Sequence, residues 1–83
     1  MTFKEEVIDV LAGKAAQIYK RDKSEFGPGT RFDEDLKAKS VNIIQFTAEL
    51  EDVYEVEVPF AEFKRKKTFA EVADYLAEIL GQD

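Results

Sequence analysis

Three segments of this chain carry apolar residues at helical spacing, and two of them open on the same start signal. Thr2-Phe3-Lys4-Glu5 and Thr68-Phe69-Ala70-Glu71 both have the spacing of a capping box, in which Thr and Glu side chains satisfy free amides at a helix start. After the first come Phe3, Val7, Val10, Leu11, Ala15 and Ile18, and the period fades after Tyr19. After the second come Phe69, Val72, Ala73, Leu76, Ile79 and Leu80, stopped by Gly81, a residue type common just past a helix. The third segment starts at or beside Ser40. Its wheel puts Asn42, Gln45, Glu49 and Asp52 on a polar face, with Ile43, Phe46, Leu50, Val53 and Tyr54 opposite. Val41, Ile44 and Ala48 form a second apolar stripe, which either adds to the core or waits for a partner.

The connections are equally telling. Gly27-Pro28-Gly29 is a strong breaker, and residues 21 to 39 show no period, with Phe26, Phe32 and Leu36 as the expected loop anchors. Glu55-Val56-Glu57-Val58 alternates like a strand but has no partner strand, so it reads as an extended connector. Pro59 suits the first position of a short helix ending near Phe63 or Lys64. The expected fold is all-α: a small four-helix bundle of three longer helices and a short third one, with a long loop between helices 1 and 2. Residues 1–83 form a single domain in this reading.

With 83 residues, the core is thin, since a domain of this size buries only about 60% of the surface its unfolded chain exposes. The chain has no Cys and no His, so disulfides, Cys nucleophiles and His-based pairs are excluded, and a structural zinc site has lost its usual ligands. The carboxylates fall in adjacent pairs, Glu34-Asp35 and Glu51-Asp52, which point apart on a helix, and so small a bundle has little room for a catalytic pocket. An enzyme is not expected.

The formal net charge is -6, and residues 40 to 63 account for all of it, with six acids and no base. Nucleic acid is therefore not an expected partner. A charge run of this kind is ordinarily a solvated face, and it can also steer a basic partner. Lys64-Arg65-Lys66-Lys67 is the single basic cluster, either a solvated complement to the short helix's dipole or a contact for an acidic or phosphorylated partner. Neither a leader-like apolar run nor a membrane-length stretch is present, so the expectation is a monomeric cytoplasmic protein without stable membrane insertion. Ser40 stands where a long loop meets a helix start, a place that serves as a plain N-cap and also favours a phosphate.

Phe32-Asp33-Glu34-Asp35-Leu36-Lys37-Ala38-Lys39-Ser40-Val41 resembles the signature of the acyl carrier proteins, with Phe32, Glu34, Asp35, Leu36, Ala38 and Ser40 matching in type and spacing. The stretch Ala48 to Tyr54 is similar to that family's acidic close of helix two, Val58-Pro59 to its Ile-Pro, and Thr68 to Leu76 to its final helix. The resemblance covers nearly the whole chain. It implies that Ser40 carries a covalent 4′-phosphopantetheine arm, placed there by a phosphopantetheinyl transferase, and that acyl-transferring or acyl-modifying enzymes then use it. It further implies a partner surface of Val41, Ile44 and Ala48, rimmed by Glu51 and Asp52, with Lys39 beside the serine. The sequence departs from the family where a glycine becomes Lys37, an aspartate Lys39, a leucine Val41, and two commonly acidic positions Asn42 and Gln45. The resemblance implies a carrier that holds acyl intermediates as thioesters for lipid or fatty-acid biosynthesis or for a dedicated secondary pathway, and these departures point to a specialised carrier with dedicated partners. Peptidyl or aminoacyl cargo uses the same serine, and an unmodified helical interaction module is the alternative.

Overall fold

The computed structural model describes residues 1–82; Asp83, the last residue of the expected domain, lies outside them. Four α-helices follow in order: α1 Phe3–Tyr19, α2 Ser40–Tyr54, α3 Phe60–Phe63 and α4 Phe69–Leu80. Among the described residues there is no strand beyond one isolated antiparallel bridge, Arg31 to Thr68. The all-helical expectation holds.

At the start of α1 the capping box is complete: Glu5 N donates to Thr2 Oγ1 at 3.1 Å and Thr2 N to Glu5 Oε1 at 2.8 Å. At α4 only half of the expected box forms. Glu71 N donates to Thr68 Oγ1, but the Glu71 carboxylate takes Lys67 N, one residue further back. There the chain is already held by the bridge, because Phe69 N donates to Thr30 O at 3.1 Å. α1 buries Val7, Leu11, Ala12 and Ala15 against α4 and α2. α4 contributes Phe69, Val72, Ala73, Leu76 and Ala77, and closes at Gly81 with φ 68°. Ile79, expected on this inner face, is 42% exposed, since the last turn runs past the core.

α2 buries Ile43, Phe46, Thr47 and Leu50. Val53, also expected inside, is 45% exposed. Stepping about 100° per residue places Val53 at the far edge of the buried arc. The arc is turned toward Thr47, whose hydroxyl donates to Ile44 O at 2.9 Å and so enters the core satisfied. Glu55, expected as the start of an extended connector, instead closes α2 in the left-handed region with φ 51°; residues 56–59 then run without helix or strand, with Val58 buried. Pro59 does not occupy the first helical position: its ψ of 134° is extended, and α3 begins one residue later.

The long loop has more structure than its sequence shows. Asp22 caps a one-turn 3-10 helix, Lys23–Glu25, with reciprocal bonds to Ser24 N (2.9 Å) and from Asp22 N to Glu25 Oε2 (3.2 Å). A single turn has no period to detect; the Asp22-to-Glu25 spacing was its available signal. Phe26, Phe32 and Leu36 are buried, as their anchor role requires.

Candidate functional site

The site is built from the loop that precedes α2. Phe32 is its fixed point. The ring meets those of Phe46, Phe63 and Phe69 at centroid distances of 5.4, 5.2 and 5.2 Å, so one side chain ties the loop to α2, α3 and α4. Its backbone is held as well: Phe32 N donates to Lys67 O at 3.1 Å, and Phe32 O accepts from Ala38 N at 2.8 Å. Between these points the chain makes a tight hairpin-like reversal. Leu36 N donates to Arg31 O, Lys37 N donates to Asp33 O, and Arg31 N donates to Asp35 Oδ2 at 2.8 Å. The turn requires a left-handed residue, and Lys37 supplies it with φ 48°. Each residue of the acidic motif thus has a local task, and together they deliver the chain to Ser40 in one conformation.

The charge at this turn is organised. Arg31 grips Asp33 through two bonds of 3.1 Å and also meets Glu34 at 2.9 Å. The Arg31 bonds, aided by the Glu34 amide, hold the Asp33 carboxyl down at about 2.

Ser40 is the first residue of α2, and the cap position belongs to Lys39. The expected N-cap role of Ser40 is therefore not what this helix start uses. Asn42 does that work from inside: its Oδ1 accepts from Lys39 N at 2.9 Å, and its Nδ2 donates to Gln45 Oε1 at 3.1 Å. Ser40 is exposed, and among the described residues its hydroxyl has no hydrogen-bond partner. Ile43 N returns to Lys39 O, which leaves the amides of Ser40, Val41 and Asn42 without intrahelical acceptors at the positive end of α2.

The structure places the second apolar stripe outside: Val41 is 59% exposed, Ile44 is 54% exposed, and Ala48 is exposed beside them. Of the acids expected on its rim, Asp52 is exposed. Glu51 is committed inward, its Oε2 accepting from Val58 N at 2.7 Å and pinning the extended connector to α2. Its second oxygen remains available at the surface.

One part of the site was not foreseen. Lys39, Lys64, Arg65, Lys66 and Lys67 line a cleft of about 560 Å³ together with Ser40. The basic cluster, 24 or more residues away in sequence, faces the serine because the Arg31–Thr68 bridge draws the α3–α4 connector against the loop. No local sequence signal announces that pairing.

The chain matches the family described as phosphopantetheine attachment site over residues 9–76. It is 32% identical over 75 residues to an acyl carrier protein of Rubrobacter xylanophilus, covering 90% of this chain and 93% of the relative. With an acyl carrier protein of Brachyspira hyodysenteriae it shares 32% identity over 78 residues, 94% of this chain and 96% of that one. An acyl carrier protein of Lactobacillus acidophilus is 29% identical over 72 residues, 87% and 90% of the two chains. Proteins of this kind are non-catalytic carriers that hold 4′-phosphopantetheine covalently. With the match spanning most of its length, this chain belongs to the phosphopantetheine-bearing acyl carrier family.

Proposed function

We propose that Ser40 is the attachment serine, and that the protein holds acyl intermediates of a dedicated biosynthetic pathway in the cytoplasm. The observation that carries this reading is an exposed, unengaged hydroxyl on the first residue of α2, at the end of a loop fixed on both sides by hydrogen bonds. The residues present suit a phosphodiester: three free helix amides and a cluster of cations surround the hydroxyl. In the transfer from coenzyme A, the Ser40 oxygen forms the new bond to phosphorus, its proton is lost, and adenosine 3′,5′-bisphosphate departs. The arm then supplies a thiol, which this Cys-free chain lacks, for a thioester.

The chain's own contribution is presentation. Val41, Ile44 and Ala48 offer a small exposed apolar patch beside Ser40, with Asp52 and the outer oxygen of Glu51 at its rim and Lys39 at its head. Such a patch suits brief, charge-steered contact with a phosphopantetheinyl transferase and with acyl-handling enzymes. The missing acids at Asn42 and Gln45 favour partners other than those of general fatty-acid synthesis.

Intact mass tests the assignment. After incubation with coenzyme A and a phosphopantetheinyl transferase, the wild type gains one phosphopantetheinyl group and Ser40→Ala gains none. Modification of Ser24, the other serine, or of no residue at all, overturns the assignment.

A further inference from the structure

The cations around Ser40 are paired unlike those elsewhere. Lys4, Lys14, Arg21, Lys23 and Arg31 each lie within 4.0 Å of a carboxylate. In the cleft only Arg65 does so, with Glu62 at 3.9 Å. Among the described residues Lys39, Lys64, Lys66 and Lys67 have no such partner. Lys20 and Lys37 share that condition, but both are left-handed residues on exposed turns and outside the cleft. Shortage of acid is not the cause, since the chain has 18 acids against 12 bases. The one carboxylate in the cleft wall, Asp33, is already neutralised by Arg31.

Packing explains only part of the cluster. Lys66 Nζ lies 4.8 Å from the Tyr75 ring centre and Lys64 Nζ 5.9 Å from that of Phe60, so their stems and charges have aromatic neighbours. Lys66 also shares a shallow hollow with Glu71, Asp74 and Glu78 on α4, so the cleft cations left without a nearby carboxylate are Lys39, Lys64 and Lys67. Like charges within a Debye length, about 8 Å at physiological salt, repel one another. An anion seated among them removes that repulsion. A phosphodiester on Ser40 is such an anion, charged at every physiological pH. Its tether converts binding into an intramolecular event with a high effective concentration.

We infer that this cleft is an anion site that seats the arm's phosphodiester against the α3–α4 connector, leaving the Val41–Ile44 face of α2 uncovered for partners. This rests on the reading of Ser40 as the attachment point. The same charge would also attract a free phosphate, so the two sources must be separated.

The experiment compares apo and holo protein by amide NMR, after intact mass has established that the arm is on Ser40. Conversion to holo should shift the resonances of residues 64–67 as well as those of 39–42. In a Lys64→Gln, Arg65→Gln, Lys67→Gln variant the connector shifts should vanish while those beside Ser40 persist. The wild type gives an independent readout that does not depend on that variant folding. Holo should melt a few degrees above apo at low salt. That gain should disappear near 1 M salt, where the Debye length falls to about 3 Å. Inorganic phosphate added to the apo protein should move the connector resonances at millimolar concentration only. A holo protein whose connector resonances match apo overturns the inference and leaves the attachment assignment standing. So does tight binding of free phosphate with no response to the arm, which would assign the cleft to another anion. A protein that acquires no arm on Ser40 removes both readings together.

Discussion

Lys37 holds the turn before Ser40 in a conformation its side chain opposes. Its φ of 48° lies in the left-handed region, which costs a residue bearing a Cβ roughly 1–2 kcal/mol and glycine almost nothing. Glycine also loses more chain entropy on folding, which takes back part of the gain. Lys37→Gly should therefore stabilise the domain by up to about 1 kcal/mol, seen as a Tm rise of several degrees. An unchanged or lower Tm would mean that the lysine has an unrecognised partner. Six residues upstream, Arg31 shapes the same turn through charge. Asp33 sits at about 2 in the folded chain against 3.8 in the reference state, chiefly through its hydrogen bonds to Arg31. A depressed carboxyl contributes stability that is present above its unfolded pKa and lost as pH falls through the folded one. The window for Asp33 is thus from about 3.8 down to about 2. An NMR titration should give Asp33 a midpoint near 2 in the wild type, and Arg31→Gln should move that midpoint up toward the ordinary carboxylate range.

Among the helices, α2 carries two apolar faces and needs only one for the core. Ile43, Phe46 and Leu50 are buried, while Val41 and Ile44 stand more than half exposed. Ile44→Asp should accordingly leave the helical fold in place, costing roughly 0.5 kcal/mol through helix propensity. Turnover by any partner enzyme that reads this face should fall at least tenfold, since a charge is then buried unpaired at the contact. Circular dichroism and acylation rate measured on the same sample separate the two effects, and loss of the helical signal would return the stripe to the core. The wheel found both faces of α2 but could not rank them, because periodicity reports amphipathicity and not which neighbour arrives. Helix starts were read well at Thr2 and Thr68, where a side chain makes the cap, and at Ser40, where only the cap role passes to Lys39; the start at Pro59, where the backbone decides, was read one residue early. Ile79 and Val53 differ from expectation for separate reasons: the last turn of α4 runs past the core, whereas Val53 lies at the edge of the arc that α2 buries.

Taken as one body, the molecule separates its charges around Ser40, and only part of that separation is visible along the chain. The acidic window from 40 to 63 is a sequence fact. Its use is not. Glu49 reaches Lys14 at 3.8 Å, Glu62 reaches Arg65 and Glu51 holds Val58 N, so half of the six acids are engaged within the fold. The basic cleft is the product of a bridge between residues 31 and 68, and only the folded chain brings its parts together. A carrier with a cluster of cations in the cleft beside its serine and amides at positions 42 and 45 presents the wrong sign to an enzyme with a basic docking face. A generic acyl transferase of fatty-acid synthesis should load it slowly. The Lys39→Asp, Asn42→Asp, Gln45→Glu variant reverses that sign without dismantling the helix start. Aspartate at 42 keeps an acceptor for the amide of residue 39, and acids in the first turn favour the positive end of α2. The expected result is a gain of roughly tenfold in acylation rate, which corresponds to about 1.4 kcal/mol at the contact. Because these charges are exposed, the gain should shrink steadily as ionic strength rises. A dedicated partner with acids opposite Lys39 should respond in the other direction. Equal rates for wild type and variant across the whole salt series would show that charge at the start of α2 does not select the partner, and the case for dedicated enzymes would then have to rest on the apolar stripe alone.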